Sequence, residues 1–315
     1  MKILITGGTG MVGKAINDLI NGTYECRFLS SKDIDLRKYE STYYYFRDYQ
    51  PTHVIHLAAN VGGLYKNMAN NVELFHDNML INMNVLKVCN KLEIQRVVCC
   101  LSTCIFPDKV DKYPITEKML HLGPPHESNK GYAYAKRMLD VLCNMYNKSF
   151  NRHYVCVTPC NIYGEYDNFS LEDGHVIPAL VHRAYLVKTG KLDNFVVKGT
   201  GEALRQFINS KDVANLCLWA LLEYKDTESL ILASKNVYQI KDIVYMICKY
   251  MDISYKKVIY DTSYSDGQYL KNVSNLKLLT AFNQTMNEEY KFIKMEDGLQ
   301  SMISWFIENY NDCRK

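Results

Sequence analysis

The sequence has no apolar segment long enough to span a membrane and no sign of a secretory leader. Its apolar runs all fall short of the roughly 20 residues that cross a bilayer. Met1 and Lys2 lead directly into Ile3-Leu4-Ile5, without the charged region, apolar stretch and cleavage site of a signal peptide. We therefore expect a soluble protein.

An excess of charge of one sign is also missing. The 37 Lys and Arg residues nearly balance the 34 Asp and Glu residues, and the two signs are interspersed along the chain. The lack of a basic stripe argues against binding to nucleic acid or to a membrane surface. With 315 residues, 48% of them hydrophobic and 23% charged, the chain can form one large core with a second lobe.

Cysteine is plentiful, but its spacing is not that of a metal site. None of the eleven cysteines forms a Cys-x-x-Cys pair, so we expect no zinc site. Several lie in apolar contexts, among them Cys99 and Cys100. Such residues are typical of small core side chains in a reducing compartment, and we expect a cytoplasmic protein.

A glycine-rich loop follows the first predicted strand. Lys2–Thr6 is a short apolar run, and Gly7-Gly8-Thr9-Gly10-Met11-Val12-Gly13 connects it to a helical pattern over Lys14–Ile20. Glycines at these spacings permit a tight turn and let a pyrophosphate approach the backbone at a helix N-terminus. A turn without a ligand is the alternative, but the strand–turn–helix context favours a dinucleotide site over residues 7 to 13.

The end of the second predicted strand bears on the choice of cofactor. Tyr24–Leu29 is followed by two serines and Lys32, at the place where a carboxylate would pair with a ribose 2′-hydroxyl and favour NAD. Hydroxyls and an ammonium suit a 2′-phosphate instead, so Ser31 and Lys32 favour NADP. Asp33 and Asp35 follow closely and weaken this inference.

Strands and helices then alternate, which predicts a doubly wound parallel α/β sheet of the Rossmann type. The third predicted strand ends at Leu57-Ala58-Ala59, where small residues would let a flat cofactor lie against the backbone. The other elements predicted up to residue 158 are the helices Tyr39–Tyr49, Asn71–Leu92 and Tyr134–Phe150 and the strands His53–Leu57, Val97–Leu101 and Tyr154–Thr158. We expect an NADP-binding Rossmann domain over 1–164, with 205–225 returning to it, and a smaller α/β substrate-binding lobe over 165–315.

The stretch between residues 102 and 136 gives the strongest indication of chemistry. Ser102, Thr103 and Cys104 directly follow a buried strand, at the sheet edge where open α/β folds bind ligands. Tyr132 and Lys136 share a helix face if both lie in its first turn. An adjacent ammonium lowers the pKa of a tyrosine from about 10 toward neutrality, so we expect Tyr132 to exchange a proton with a carbonyl oxygen. A solvated Tyr/Lys pair is the alternative.

Two further segments lie at predicted element ends. The strand Tyr154–Thr158 leads into Pro159–Ile162, again at the ligand edge of the sheet. His175 precedes a helix that we expect to run to about Lys188, with Pro178 near its first position. A lone histidine is more often structural than functional, and the local sequence leaves both interpretations open.

Several motifs together resemble the extended short-chain dehydrogenase/reductases. Thr6–Gly10 and Tyr132-x-x-x-Lys136 resemble that family as a whole. Further segments are similar to its NADPH-dependent epimerase-reductases, which convert GDP-4-keto-6-deoxy-D-mannose to GDP-L-fucose, and the likeness spans nearly the whole chain. These segments are Val61–Gly63, Leu101–Pro107, Gly123–His126, Asp167–Phe169, Gly174–Pro178, Gly199–Gly201 and Ser265–Gln268.

The resemblance implies a role for each matching residue, and it implies a homodimer. The catalytic residues would be the epimerisation base Cys104, the acid His175, the proton donor Tyr132 with its partner Lys136, and the ketone-holding Ser102 and Thr103. The cofactor would also contact Lys136, Pro159, Cys160, Asn161, Ile162 and His175. The GDP-sugar would contact Asn161, Arg183, Lys198, Arg205 and Asp266.

Three positions depart from the pattern of these relatives. Lys198 stands where a tryptophan is usual, Cys160 replaces a threonine, and Glu165-Tyr166 replaces Pro-His. None of them is an implied acid or base, so the resemblance implies that the chemistry is intact.

Other functions are compatible with the same type of sheet. A nucleotide-sugar 4,6-dehydratase would carry an Asp-Glu pair where Cys104-Ile105 stands, and a 4-epimerase would leave Cys104 and His175 without a task. A non-catalytic dinucleotide-binding regulator would be expected to lose Tyr132 or Lys136, and both are present.

Overall fold

Six parallel strands form the central sheet in a computed structural model of the protein, which describes residues 1–62 and 70–315. Their order across the sheet is β2-β1-β3-β4-β5-β9. The strands are β1 (Lys2–Thr6), β2 (Glu25–Leu29), β3 (His53–His56), β4 (Arg96–Cys100), β5 (His153–Pro159) and β9 (Leu230–Leu232). Chain order reverses between β1 and β3, which creates a crevice at their carboxyl ends. The sheet confirms the predicted fold class.

Helices cover this sheet in two groups. In the first group α1 packs against α6, and in the second α2 and α4 pack against α3. Their bounds are α1 (Met11–Ile20), α2 (Tyr39–Tyr49), α3 (Asn71–Lys91), α4 (Lys130–Phe150) and α6 (Ser210–Leu222). Strands β1, β4 and β5 are nearly continuous apolar runs, as expected for parallel strands covered on both faces, whereas the edge strand β2 alternates in exposure.

A second hydrophobic core forms in the later part of the chain. It contains Phe169, Phe195 and Phe306. Around it lie the strands β6 (Asn161–Tyr163), β7 (Phe195–Lys198), β8 (Leu204–Asn209), β10 (Val237–Gln239), β11 (Val258–Asp261) and β12 (Leu270–Lys271) and the helices α5 (Val176–Lys188), α7 (Ile240–Met251) and α9 (Met295–Glu308). The chain returns to the first core with α6 and β9, and again with α8 (Leu276–Met286).

Short 3-10 turns connect several of these elements. They are Thr103–Ile105, Glu117–Met119, Glu127–Asn129 and Tyr255–Lys257. Across the described parts of the chain, none of the helices is both long and apolar enough to cross a membrane. Gly63, the last residue of one family-like motif, lies outside the described residues.

The structure corrects several details of the sequence analysis. Helix α4 begins at Lys130 rather than Tyr134, so Tyr132 lies in its first turn. Pro178 is the third residue of α5, not the first, and is tolerated there because N–H groups in a first turn lack helical partners. Strands β6, β8, β10 and β12 and helix α8 were not predicted.

The contribution of the second core to the stability of the protein can be tested by mutation. Phe306 is fully buried and stacks on Phe169 with ring centroids 4.3 Å apart, whereas its neighbour Ile307 is 39% exposed. We expect Phe306→Ala to lower the free energy of unfolding by about 3–5 kcal/mol. Ile307→Ala is the matched control, with an expected loss of at most about 1 kcal/mol. Urea denaturation followed by circular dichroism measures both, and equal losses would contradict this account of the core.

Candidate active site

The glycine loop forms a cradle at the end of β1. Gly7 has a φ of 69°, and a Cβ there would lie 2.8 Å from the Ala58 nitrogen. A Cβ on Gly13 would lie 2.4 Å from the Gly8 carbonyl oxygen, so both positions need glycine. Gly10 precedes α1, and a Cβ there would meet only the Gly7 oxygen, at 3.2 Å. The backbone is thus open at the helix N-terminus, and this fits a dinucleotide phosphate.

The end of β3 is fixed beside this loop by buried polar groups. The Leu57 N–H donates to the Thr6 carbonyl at 3.1 Å, and the Ala58 N–H donates to the Thr6 hydroxyl at 3.3 Å. The same hydroxyl lies 2.7 Å from His56 Nδ1, and His56 Nε2 lies 3.1 Å from Asn82 Oδ1. Burial lowers the pKa of His56, so its ring is neutral. Residues 57 to 59 therefore border the glycine loop on a rigid support.

Both acidic residues after β2 interact with nearby side chains. Asp33 accepts hydrogen bonds from the N–H and the hydroxyl of Ser30, and these bonds lower the pKa of its carboxyl. Asp35 pairs with Arg37 at 2.9 Å, and Arg37 also contacts Asp77 at 3.2 Å. Ser31 and Lys32 are exposed. The carboxylates that weakened the NADP prediction are thus held by Ser30 and Arg37, while the ammonium faces solvent.

A buried lysine joins α4 to the end of β4. The Lys136 side chain is 1% exposed, and its Nζ donates to the Cys100 carbonyl at 2.7 Å. The same Nζ lies 5.9 Å from the centroid of the Tyr132 ring. Burial lowers the pKa of Lys136. The predicted Tyr/Lys pair therefore lies inside the protein at a strand end, not on a solvated helix face.

The predicted direction of the Tyr132 pKa shift is wrong. Burial raises the pKa of Tyr132 well above its usual value, and the thiols of Cys104 and Cys100 raise it further. The sequence suggested an ammonium partner but gave no measure of how completely the phenol would be desolvated. Tyr132 is consequently protonated at neutral pH, and a protonated phenol can serve as a proton donor.

Cys104 lies in a tight turn directly after β4. The Ser102 hydroxyl accepts a hydrogen bond from the Cys104 N–H at 3.4 Å, and Thr103 is buried beside it. Burial raises the pKa of the Cys104 thiol. The ammonium of Lys271 lowers this pKa most, followed by Ser102 and Lys136. On balance the pKa of Cys104 is raised, because burial outweighs the two cations that favour its thiolate.

Lys271 is a site residue that the sequence analysis missed. It lies in β12, where it pairs in register with Arg205 of β8. The segment is held against the loop after Cys104, because the Ile115 N–H donates to the Asn272 carbonyl at 2.9 Å. No local motif marks this lysine, and only the pairing of distant segments brings it near the thiol.

The predicted substrate residues Arg205 and Asp266 lie together near Lys271. Arg205 donates to the Asp266 carbonyl at 3.2 Å and to the Tyr269 carbonyl at 3.3 Å. The Asp266 carboxylate accepts hydrogen bonds from the Thr200 N–H at 2.8 Å and the Thr200 hydroxyl at 2.5 Å. Burial lowers the pKa of Arg205. Asp266 thus fixes the turn after β7 to the loop that precedes β12.

The other predicted substrate residues line neighbouring elements. Arg183 donates to the Val196 carbonyl at 3.0 Å, and burial lowers its pKa while Tyr264 raises it. Lys198 Nζ lies 4.8 Å from the centroid of the Tyr264 ring. Arg183 and Lys198 are therefore close to one exposed aromatic residue.

The segment after β5 joins the two cores. The Cys160 N–H donates to the Leu232 carbonyl at 2.9 Å, and burial raises the pKa of its thiol to about 12. Asn161 is exposed and its side-chain amide donates to the Gln206 carbonyl at 2.8 Å. The backbone of Pro159 closes β5, and Ile162 lies in β6. These residues therefore connect β9 of the central sheet with β8.

His175 is not hydrogen-bonded to the Tyr132 group among the described residues. It is exposed, and its carbonyl accepts the Ala179 N–H at 3.1 Å in the first turn of α5. Within residues 1–62 and 70–315, no hydrogen bond joins its ring to Tyr132 or Cys104. Its charge instead acts on the carboxyl of Asp167 and lowers the pKa of that group.

A large cavity lies elsewhere, between α4 and α8. Its volume is 1040 Å³, and Asp140, Asn144, Thr280 and Gln284 are among its lining residues. None of the predicted catalytic residues lines it. The site is therefore defined by converging polar groups and not by the size of a cavity.

Comparison with known proteins gives relatives that match over the full length. A model of the NAD dependent epimerase/dehydratase family matches residues 3–240. The chain is 46% identical to the GDP-L-fucose synthase of Dictyostelium discoideum, covering 99% of this chain and 97% of that protein. It is 43% identical to the probable GDP-L-fucose synthase of Drosophila melanogaster, covering 100% and 99%.

A solved structure is similar over both cores. The GDP-L-fucose synthetase of Naegleria fowleri, bound to NADP, has a TM-score of 0.92 and is 41% identical. The match covers 100% of this chain and 95% of that one.

The exposed lysine after β2 provides a test of cofactor choice. Lys32→Ala should weaken NADPH binding roughly tenfold and leave NADH binding unchanged, because only NADPH carries the 2′-phosphate. Solvent exposure keeps the loss at the lower end of a charge-assisted contact. Fluorescence titration with both cofactors measures the effect, with the exposed Lys38→Ala as control. An equal loss for NADH would rule out a phosphate contact.

The effect of the Lys271 ammonium on the reactivity of the Cys104 thiol can be tested by alkylation. It stabilises the thiolate, so Lys271→Met should raise the pKa of Cys104 and slow its alkylation by iodoacetamide at neutral pH. Lys271→Arg keeps the charge and should retain most of the rate. Peptide mass spectrometry assigns the alkylated cysteine across a pH series. In Lys109→Met, at an exposed lysine of the adjoining loop, Cys104 should be alkylated at the wild-type rate. A similar loss of alkylation rate in this variant would contradict a specific effect of Lys271 on Cys104.

Proposed function

The chain belongs to the NAD dependent epimerase/dehydratase family, and on this premise we propose that it converts GDP-4-keto-6-deoxy-D-mannose to GDP-L-fucose. It is an NADP-dependent epimerase-reductase that acts on a GDP-sugar. The reaction inverts the sugar at C3 and C5 and then reduces the ketone at C4. Its two parts require different proton-transfer groups at one place.

The observation that carries this proposal is the convergence of Cys104, Tyr132 and Lys136 at the end of β4. Charges on Cys104 influence Tyr132, and Lys136 influences Cys104, so the three groups lie within electrostatic range. A 4-epimerase has no use for the thiol, and a dehydratase would need a carboxylate there. A regulator would gain nothing from a buried lysine, whose desolvation is costly.

We assign the epimerisation to Cys104 and His175. The C4 ketone acidifies the hydrogens at C3 and C5, so a thiolate at Cys104 can remove a proton from either carbon. Inversion requires a proton to return on the opposite face, and His175 is assigned that step. Lys271 supports the assignment because its ammonium favours the thiolate of Cys104.

We assign the reduction to the groups on β4 and α4. NADPH, when bound at the glycine loop, supplies the hydride that reduces C4. Tyr132 then donates its proton to the C4 oxygen, which suits a phenol that burial keeps protonated. Lys136 is assigned to position this phenol, and Ser102 and Thr103 are assigned to hold the ketone oxygen.

The same proposal extends to the binding residues and to the two lobes. We infer a cofactor lobe over 1–164, joined by 205–225, and a substrate lobe over 165–315. The two separate hydrophobic cores support two lobes, and β9 and α8, which pack in the first core, extend the first lobe beyond 205–225. The proposed cofactor contacts are residues 7–13, Ser31, Lys32, residues 57–59, Lys136, residues 159–162 and His175. The proposed GDP-sugar contacts are Asn161, Arg183, Lys198, Arg205 and Asp266.

A homodimer in the cytoplasm belongs to the proposal as well. Helices α3 and α4 pack side by side, and both expose apolar side chains, among them Val72, Met83 and Met145. This exposed apolar surface supports the dimer, because a second copy would bury it. All eleven cysteines are free, which supports a reducing compartment.

Deuterium exchange separates the two chemistries. Tyr132→Phe should lower C4 reduction by roughly 10²–10⁴-fold, as for a lost general acid, while solvent deuterium still enters C3 and C5. Cys104→Ala should abolish that exchange but still allow reduction of the unepimerised sugar, giving a 6-deoxyhexose other than fucose. NADPH absorbance and mass spectrometry of products formed in D2O measure both.

The matched control for Cys104 is the neighbouring Cys100→Ala, which removes a thiol from the same strand end. It should retain exchange within a few-fold of the wild type. Formation of GDP-L-fucose by Cys104→Ala at the wild-type rate would exclude Cys104 as the base. The thiol would then be a small structural side chain.

A further inference from the structure

Asp167 is a buried acid that the assigned reaction does not use. It lies after β6, in a turn where Tyr166 has a φ of 65°, and it is 3% exposed. Its Oδ1 accepts the Asn168 N–H at 2.7 Å. Its Oδ2 is fully buried and has no hydrogen-bond partner among residues 1–62 and 70–315. A buried acid left half-satisfied requires an explanation, because desolvating an unpaired carboxylate oxygen is costly.

A closed turn brings His175 back toward this acid. The Ser170 N–H donates to Asn168 Oδ1 at 3.2 Å, and the Gly174 N–H donates to the Ser170 carbonyl at 3.0 Å. A Cβ on Gly174 would lie 2.4 Å from the Ser170 oxygen and 2.6 Å from the Asn168 oxygen, so the turn closes only around glycine. His175 follows immediately. Asp167 and His175 therefore stand at the two ends of one tightly closed turn.

Charges on both sides of the turn act on Asp167. Burial raises the pKa of its carboxyl to about 6, while His175 and, less strongly, Arg314 lower it. Arg314 itself is committed to the backbone, since its guanidinium donates to the Tyr166 carbonyl at 3.0 Å and its carbonyl accepts the Phe169 N–H at 2.8 Å. Of these two side chains, His175 has the stronger effect on the Asp167 carboxyl.

We propose that Asp167 is a positioning residue for His175. Its carboxylate orients the imidazole so that a ring N–H points at the sugar carbon. His175 gives that proton to the carbanion carbon and becomes neutral, while Asp167 stays ionised throughout. A carboxylate behind a proton-transferring histidine serves in this way in other enzymes. The inference rests on the proposed role of His175 as the epimerisation acid.

The coupling itself is tested without any turnover. In the full-length protein labelled with ¹³C at aspartate carboxyls, Asp167 should titrate near pH 6 by NMR. His175→Gln removes the imidazolium, so the midpoint of Asp167 should move to higher pH. His126→Gln, at another exposed histidine, should leave it in place. An unmoved Asp167 titration in His175→Gln would overturn the proposal.

The functional consequence is tested by epimerisation kinetics. Asp167→Asn should slow epimerisation roughly ten- to hundredfold, with an unchanged KM for the GDP-sugar and unchanged C4 reduction. The wild-type rate should fall as the pH drops through about 6, and Asp167→Asn should lose this acid limb. Asp173→Asn removes an exposed charge two residues from His175 and should keep both rate and profile. A wild-type epimerisation rate in Asp167→Asn would also overturn the proposal.

Two further results separate possible failures. If Asp167→Asn does not fold, the wild-type acid limb and the titration in His175→Gln decide the question alone. If His175→Gln epimerises at the wild-type rate, the assigned role of His175 is wrong, and the proposal for Asp167 falls with it even where the titration moves. If the titration midpoint of Asp167 does not move and His175→Gln epimerises slowly, the positioning role of Asp167 is rejected. The assignment of His175 as the epimerisation acid then still holds.

Discussion

The burial of one lysine ammonium at the end of β4 sets the geometry of the site. The Nζ of the buried Lys136 donates to the Cys100 carbonyl at 2.7 Å, and this bond offsets part of the cost of desolvating the ammonium. That contact fixes the second turn of α4 against the central sheet. Tyr132 lies one turn earlier on α4, and Cys104 lies just beyond β4. This hydrogen bond, together with those from Arg137 to the Ile105 and Gly123 carbonyls, fixes the spacing between the assigned reducing and epimerising groups.

The second core supplies the charges that the epimerising groups need. Lys271 comes from β12 and favours the thiolate of Cys104, and Asp167 follows β6 and interacts electrostatically with His175. A thiolate base and an imidazolium acid are oppositely charged, and each has a counter-charge from the smaller sheets. The reducing pair, by contrast, belongs wholly to the first core. Epimerisation therefore depends on how the later part of the chain folds, whereas the tyrosine–lysine pair does not.

The central sheet could be predicted from sequence because its strands are bounded apolar runs. Strand β1 and helix α2 have the predicted ends, and β4 is displaced by one residue. Strands β8 and β12 could not be found in this way, since such short segments become strands only by pairing with distant ones. Lys271 was missed for the same reason. The predicted direction of the Tyr132 pKa shift was wrong because desolvation depends on tertiary packing. The spacing of four residues between Tyr132 and Lys136 carries no information about that packing.

The coupling between Tyr132 and Cys104 has a consequence for the order of the two reactions. A negative charge on the thiol raises the pKa of the phenol, so Tyr132 is a weaker acid while Cys104 is a thiolate. When Cys104 takes a proton from the sugar, that charge disappears and Tyr132 becomes a stronger acid. Reduction destroys the ketone that makes C3 and C5 acidic, so protonating its oxygen too early would end epimerisation. In the assigned roles, the thiolate that begins epimerisation thus also disfavours the proton donation that completes reduction.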